Sequence, residues 1–154
     1  MFQFGGKATK TDSRVSVAHE AHDVELRLRT KDRLKYPPVL LTPEQIETVK
    51  TIIHLAGTPA LLPETPLITC AVTTDHTHIL FGPTPIDIDE IVMQIKEKTV
   101  KTLLEKGIHP RHESHPEPRH VPASVWSRGC WKVFINSIEH LEQTKRYIER
   151  HLTR

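Results

Sequence analysis

Tyrosine is scarce in this chain: Tyr36 and Tyr147 are the only two, so chemistry that needs a phenol has few places to happen. Cysteine is equally sparse. Cys70 and Cys130 lie far apart and form no Cys-x-x-Cys pair, which argues against a zinc ribbon or a thioredoxin-like site. No stretch reaches about 18 apolar residues in a row, and Met1-Phe2-Gln3-Phe4-Gly5-Gly6-Lys7 lacks the apolar run of a signal peptide. A soluble, cytoplasmic protein with no membrane partner is expected. There is no internal repeat long enough to matter. At 154 residues, one domain over 1–154 can enclose a single core without disulfide staples.

Charge of neither sign dominates, with 21 Lys and Arg against 19 Asp and Glu. Its distribution is uneven, because residues 1–35 and 106–154 are net basic while 36–105 are net acidic. Basic ends that meet on one face would suit a phosphate-bearing partner. Ordinary solvated surface charge is the plain alternative.

Residues 1–20 are polar and weakly patterned, as in an arm or a small added hairpin. Val24, Leu26 and Leu28 alternate with charged residues, which predicts a half-buried strand ended by Tyr36-Pro37-Pro38. Thr42-Pro43-Glu44-Gln45 has the order of a helix start. Ile46, Val49, Ile53 and Leu55 supply that helix's apolar side, and Gly57 with Pro59 stops it. Leu67–Thr73 and His76–Phe81 read as strands. Thr74-Asp75 is either a hairpin turn between them or part of one long strand. Asp87 or Asp89 caps a helix to about Lys106 carrying Ile91, Ile95, Val100, Leu103 and Leu104, with Gly107 as its stop. A His- and Pro-rich loop at 107–122 follows. Val125–Ile135 predicts a strand with an irregular lead-in. Asn136 or Ser137 then caps a last helix with Ile138, Leu141, Ile148 and Leu152 toward the core. Helices covering one largely antiparallel sheet make an α+β sandwich.

His76-Thr77-His78 is the most informative stretch. On an extended backbone residues two apart project to one side, so both imidazoles can grip one cation. Tyr147 and His151 lie four apart in a helical pattern, one turn from each other on one face, with Gln143 on the same flank. His151 would add a third nitrogen ligand and leave positions open for phosphate and water. A divalent ion there would bind a phosphate oxygen and withdraw charge as phosphorus is attacked. Tyr36 sits in a proline-locked loop, so if a tyrosine is the nucleophile it is Tyr147. A histidine-triad nucleotide hydrolase would want a further histidine two positions after His78, where Leu80 stands.

Four motifs carry a resemblance. Asp75-His76-Thr77-His78-Ile79-Leu80, Ile95-Lys96-Glu97-Lys98-Thr99, Val125-Trp126-Ser127-Arg128-Gly129-Cys130-Trp131 and Arg146-Tyr147-Ile148-Glu149-Arg150-His151 follow in order and at matching spacing. Over residues 22–151 the chain resembles the insertion-sequence-200-like single-tyrosine HUH transposases, which include the REP-associated tyrosine transposases. The resemblance implies a ferredoxin-like sheet with an added C-terminal helix bearing the tyrosine. It implies cleavage of single-stranded DNA beside a hairpin through a 5′-phosphotyrosine on Tyr147. It also implies a magnesium or manganese ion held by His76, His78 and His151, and a homodimer or a monomer. Lys96 matches a family lysine that approaches DNA phosphate. Glutamine or asparagine is usual where His151 stands, so three nitrogen ligands point toward manganese, zinc or another transition ion. Glu97 and Cys130 also depart from the family pattern. A domesticated, non-catalytic module that keeps hairpin-DNA binding is the second reading.

Overall fold

Alternation and capping along the middle of the chain build a hairpin between helices. The computed structural model describes residues 12–13, 39–59, 61–62, 64–111, 125–127 and 129–151. The elements there run β1 (Asp12–Ser13), α1 (Pro43–Ala56), β2 (Leu67–Val72), β3 (Thr77–Phe81), α2 (Ile88–Glu105), β4 (Lys132–Val133) and α3 (Ile138–Arg150).

Helix α1 opens on a full capping box. The Thr42 N–H donates to Gln45 Oε1 at 2.8 Å and the Gln45 N–H to Thr42 Oγ1 at 3.4 Å. Val49 and Ile53 are wholly buried, whereas Leu55 points outward and is 40% exposed. Two residues beyond Ile53, Leu55 lies on the far side of the helix, and Ile52 and Ala56 fill the core instead. Gly57 ends α1 with an ordinary negative φ of −78°. A Cβ there would come within 2.5 Å of the Leu67 Cβ, so the glycine lets the start of β2 pass close by. Helix α2 is capped by Asp87, whose carboxylate accepts from the Asp89 N–H at 2.7 Å. Its buried stripe is Ile91, Ile95, Thr99 and Leu103. Val100 is only half-buried and Leu104 is exposed, so the stripe runs through Thr99 where the sequence suggested the larger residues. Gly107, at φ 68°, closes α2 by the bonds Gly107 N–H to Leu104 O and Ile108 N–H to Leu103 O.

Strands β2 and β3 pair antiparallel with Ala71 opposite His78 and Val72 opposite Thr77, and an irregularity falls between Leu67 and Thr69. The Thr73 N–H donates to His76 O at 2.9 Å, so Thr74-Asp75 is a hairpin turn and the long-strand alternative is set aside. One face of the hairpin packs Cys70, Val72, Ile79 and Phe81 against Val49, Ile53, Ile91 and Ile95 of α1 and α2. On the other face Ala71 and Leu80 receive Ile148, with Leu141 and Ile135 alongside. The hairpin is therefore covered by α1 and α2 on one side and α3 on the other, an α+β arrangement.

The expected single sheet differs. Among the described residues the strands form two separate pairs, β2–β3 antiparallel and β1–β4 parallel, with Asp12 opposite Lys132 and Ser13 opposite Val133. The strand expected over Val125–Ile135 is reduced to Lys132–Val133. Gly129 takes a left-handed φ of 70°, and the Lys96 ammonium donates to Ser127 O at 3.0 Å and Gly129 O at 2.5 Å. Around these contacts the described lead-in residues form no strand. Ser137 is the cap of α3, accepting from the His140 N–H at 3.1 Å. Ile138, expected inside, is 81% exposed; it is the first residue of α3, well ahead of the buried Ile148. The strand at Val24–Leu28, Tyr36, Leu152, most of the 1–20 arm and the histidine-rich loop after Arg111 lie outside the described residues. No described helix is long and apolar enough to cross a membrane.

Candidate metal centre

His78 pairs with Ala71 and lies two residues before Leu80, so its ring projects to the face that α3 covers. Ile148 is the plug that seats α3 there; it is 3% exposed and packs on Ala71 and Leu80. Tyr147 precedes that plug and His151 follows one turn later, so docking one isoleucine brings both side chains over the hairpin end. His76, His78 and His151 each offer a ligand atom, and these atoms lie within 4.8 Å of one another. Ring centroids are 4.8 Å apart for His76 and His78, 5.3 Å for His76 and His151, and 4.7 Å for His78 and His151. All three belong to the same chain. A cation bonding nitrogen at about 2 Å would draw the rings together by roughly an ångström, which side-chain torsions can supply.

The electrostatics suit a cation. His78 is 7% exposed, and burial, followed by the nearby His76 and His151, lowers its pKa to about 3. It is therefore neutral and keeps a lone pair at ordinary pH. Its Nε2 is buried with no hydrogen-bond partner among the described residues, a condition that costs stability unless something binds there. His76 is held differently. Its Nδ1 lies 2.6 Å from Asp75 Oδ1 and 3.0 Å from Thr73 Oγ1, and its backbone N–H donates to the same hydroxyl at 3.2 Å. Burial raises the Asp75 pKa, but the hydrogen bond and charge of His76 and the hydrogen bond from Thr73 outweigh it and hold the carboxyl below its ordinary value. A buried, neutral imidazole beside two further imidazoles fits a transition ion well.

Tyr147 stands beside this cluster. Its ring centroid is 5.2 Å from that of His78 and 4.9 Å from that of His151, edge-on to both. At 45% exposed it is open to a substrate. On its other flank Gln143, Arg146, Tyr147 and Arg150 line a hollow of about 600 Å³. The two arginines had no role in the sequence reading, although Arg146 and Arg150 are i,i+4 neighbours and Arg150 is i+3 from Tyr147, which already grouped them on one flank of the helix. Lys96 lies elsewhere: it holds the carbonyls of Ser127 and Gly129. Burial lowers its pKa, against the raising influence of Cys130 and Asp89. Asp75, next to His76 in sequence, gives no signal along the chain, because a carboxylate beside a turn is ordinary turn chemistry until its distance to the ring is known.

The family model described as "Transposase IS200 like" matches residues 30–151. No curated protein and no solved structure matches the chain.

Proposed function

This chain belongs to the IS200-like transposases, and from that premise we propose that it nicks and rejoins single-stranded DNA beside a hairpin through a 5′-phosphotyrosine on Tyr147. The observation that carries the reading is the meeting of His76, His78 and His151, with ligand atoms within 4.8 Å, next to the Tyr147 ring. Residues 1–154 act as one catalytic domain in the cytoplasm. Its fold is ferredoxin-like with the tyrosine helix added, a reading supported by the antiparallel β2–β3 hairpin set between α1 and α2, with α3 following.

His76, His78 and His151 hold a divalent ion, which supplies Lewis-acid stabilisation of charge on the phosphate. Magnesium or manganese serves the family; three nitrogen donors favour manganese or another transition ion. Arg146 and Arg150, beside the nucleophile, bind and orient the DNA backbone. Lys96 acts on DNA through the turn it holds or by releasing that turn to reach phosphate.

Tyr147 Oη attacks the phosphorus in line. The Oη–P bond forms as the P–O3′ bond breaks, the phenol proton passes to solvent at the half-exposed ring, and the leaving 3′ oxygen takes up a proton. The products are a 5′-phosphotyrosine and a free 3′-hydroxyl. Attack by another 3′-hydroxyl reverses these steps and rejoins the strand.

Incubation with single-stranded hairpin DNA and manganese should give a denaturation-resistant protein–DNA adduct mapped to Tyr147 by mass spectrometry. Tyr147→Phe should form no adduct and still bind the hairpin. No adduct with either protein, while binding persists, would leave the non-catalytic binding module as the correct reading.

A further inference from the structure

The hairpin turn that presents His76 also holds a carboxylate against it. Asp75 Oδ1 is 2.6 Å from His76 Nδ1. A carboxylate ionised at neutral pH can only accept, so the proton of this bond sits on Nδ1. The opposite tautomer would face two lone pairs at 2.6 Å and aim an N–H at the place a cation must occupy. Thr73 completes the device. Its hydroxyl accepts from the His76 backbone N–H at 3.2 Å and lies 2.9 Å from His76 O and 3.3 Å from Asp75 Oδ1, so ring, carboxylate and turn are braced together. His78, by contrast, is buried, and its Nε2 has no hydrogen-bond partner among the described residues.

We infer that Asp75 is a positioning residue for the metal centre: it fixes His76 as the Nδ1–H tautomer, so that Nε2 presents its lone pair to the ion. This rests on the reading of His76, His78 and His151 as ligands. The turn spends its one flexible acidic side chain on orienting a histidine that is less buried than His78 and would otherwise rotate. Outer partners of this kind typically contribute a factor of about 10–100 in metal affinity.

The test uses the full chain labelled with nitrogen-15 on histidine. In metal-free wild type, imidazole spectra should show His76 as the Nδ1–H form, and manganese titration without DNA gives the reference affinity. Asp75→Ala should return His76 toward the Nε2–H form that a free imidazole favours and weaken manganese binding about 10–100-fold. Asp75→Asn, which keeps a turn-forming residue and an acceptor oxygen, should restore the Nδ1–H form and recover part of the affinity. Wild-type His76 in the Nε2–H form overturns the inference, and that measurement stands even if the alanine variant does not fold. So does wild-type affinity in a folded Asp75→Ala chain, with the metal centre itself left standing. If wild type binds no manganese, the metal centre falls and the role of Asp75 falls with it.

Discussion

At the scale of single residues, the site is three imidazoles in unlike surroundings. His78 is the buried one, and its acid–base behaviour sets a pH limit. Its folded pKa of about 3 lies below the ordinary 6.5, so the unfolded chain takes up a proton first as pH falls. Its contribution to stability is therefore whole above about 6.5 and is lost progressively toward about 3, at no more than about 1.4 kcal/mol per pH unit. Urea unfolding of the metal-free protein at several pH values should show this slope, and His78→Leu should flatten it relative to wild type. On the proposed reading, His151 governs ion choice. His151→Gln replaces a nitrogen donor by an oxygen donor, and adduct yield should shift from manganese toward magnesium. An unchanged ratio of the two yields would mean that His151 does not touch the ion.

At the scale of elements, α3 is a carrier. Its sequence is strongly polar, and Ile148 is its only buried residue among those described. One side chain thus seats the helix that bears Tyr147 and His151. Ile148→Ala should cost about 2–4 kcal/mol, read as a lower denaturant midpoint. It should also reduce adduct formation under conditions where the variant is still folded, since the helix loses its register over Ala71 and Leu80. Ile148→Val, one methylene smaller, should lie close to wild type in both measurements. Adduct yield that simply follows the folded fraction would show that α3 needs no such seat. Opposite this helix, α1 and α2 form the larger core with the other hairpin face, and they hold the hairpin steady while α3 docks.

At the scale of the whole molecule, one chain can bring the three histidines together, since His76 and His78 on the hairpin lie near His151 on α3 of the same chain. Mixing Tyr147→Phe with His78→Ala protein should therefore yield no adduct. Recovered adduct would mean that two chains exchange α3, so that one supplies the hairpin histidines and the other the tyrosine. This mixing experiment separates self-contained from helix-exchanged assembly whatever the number of copies in solution.

Local signals in the sequence were enough for the parts. Thr42-Pro43-Glu44-Gln45 carries its own capping bonds within four residues, Asp87 and Ser137 cap the next two helices, and Leu67–Val72 and Thr77–Phe81 are strands by side-chain type and alternation. His76 and His78 face one way because two steps along an extended chain restore the same side. What the sequence could not settle depends on partners far along the chain. Lys96 ties up the carbonyls of Ser127 and Gly129 where a strand was expected, Leu55 and Ile138 point outward, and Thr99 enters the core in place of larger neighbours. The meeting of His151 with the hairpin histidines belongs to this second kind: periodicity places Tyr147 and His151 on one helix face, but only the burial of Ile148 against Ala71 and Leu80 decides what that face looks upon. Capping and alternation are energies between near neighbours and can be read along the chain, whereas docking is an energy between surfaces that exist only once the elements have packed.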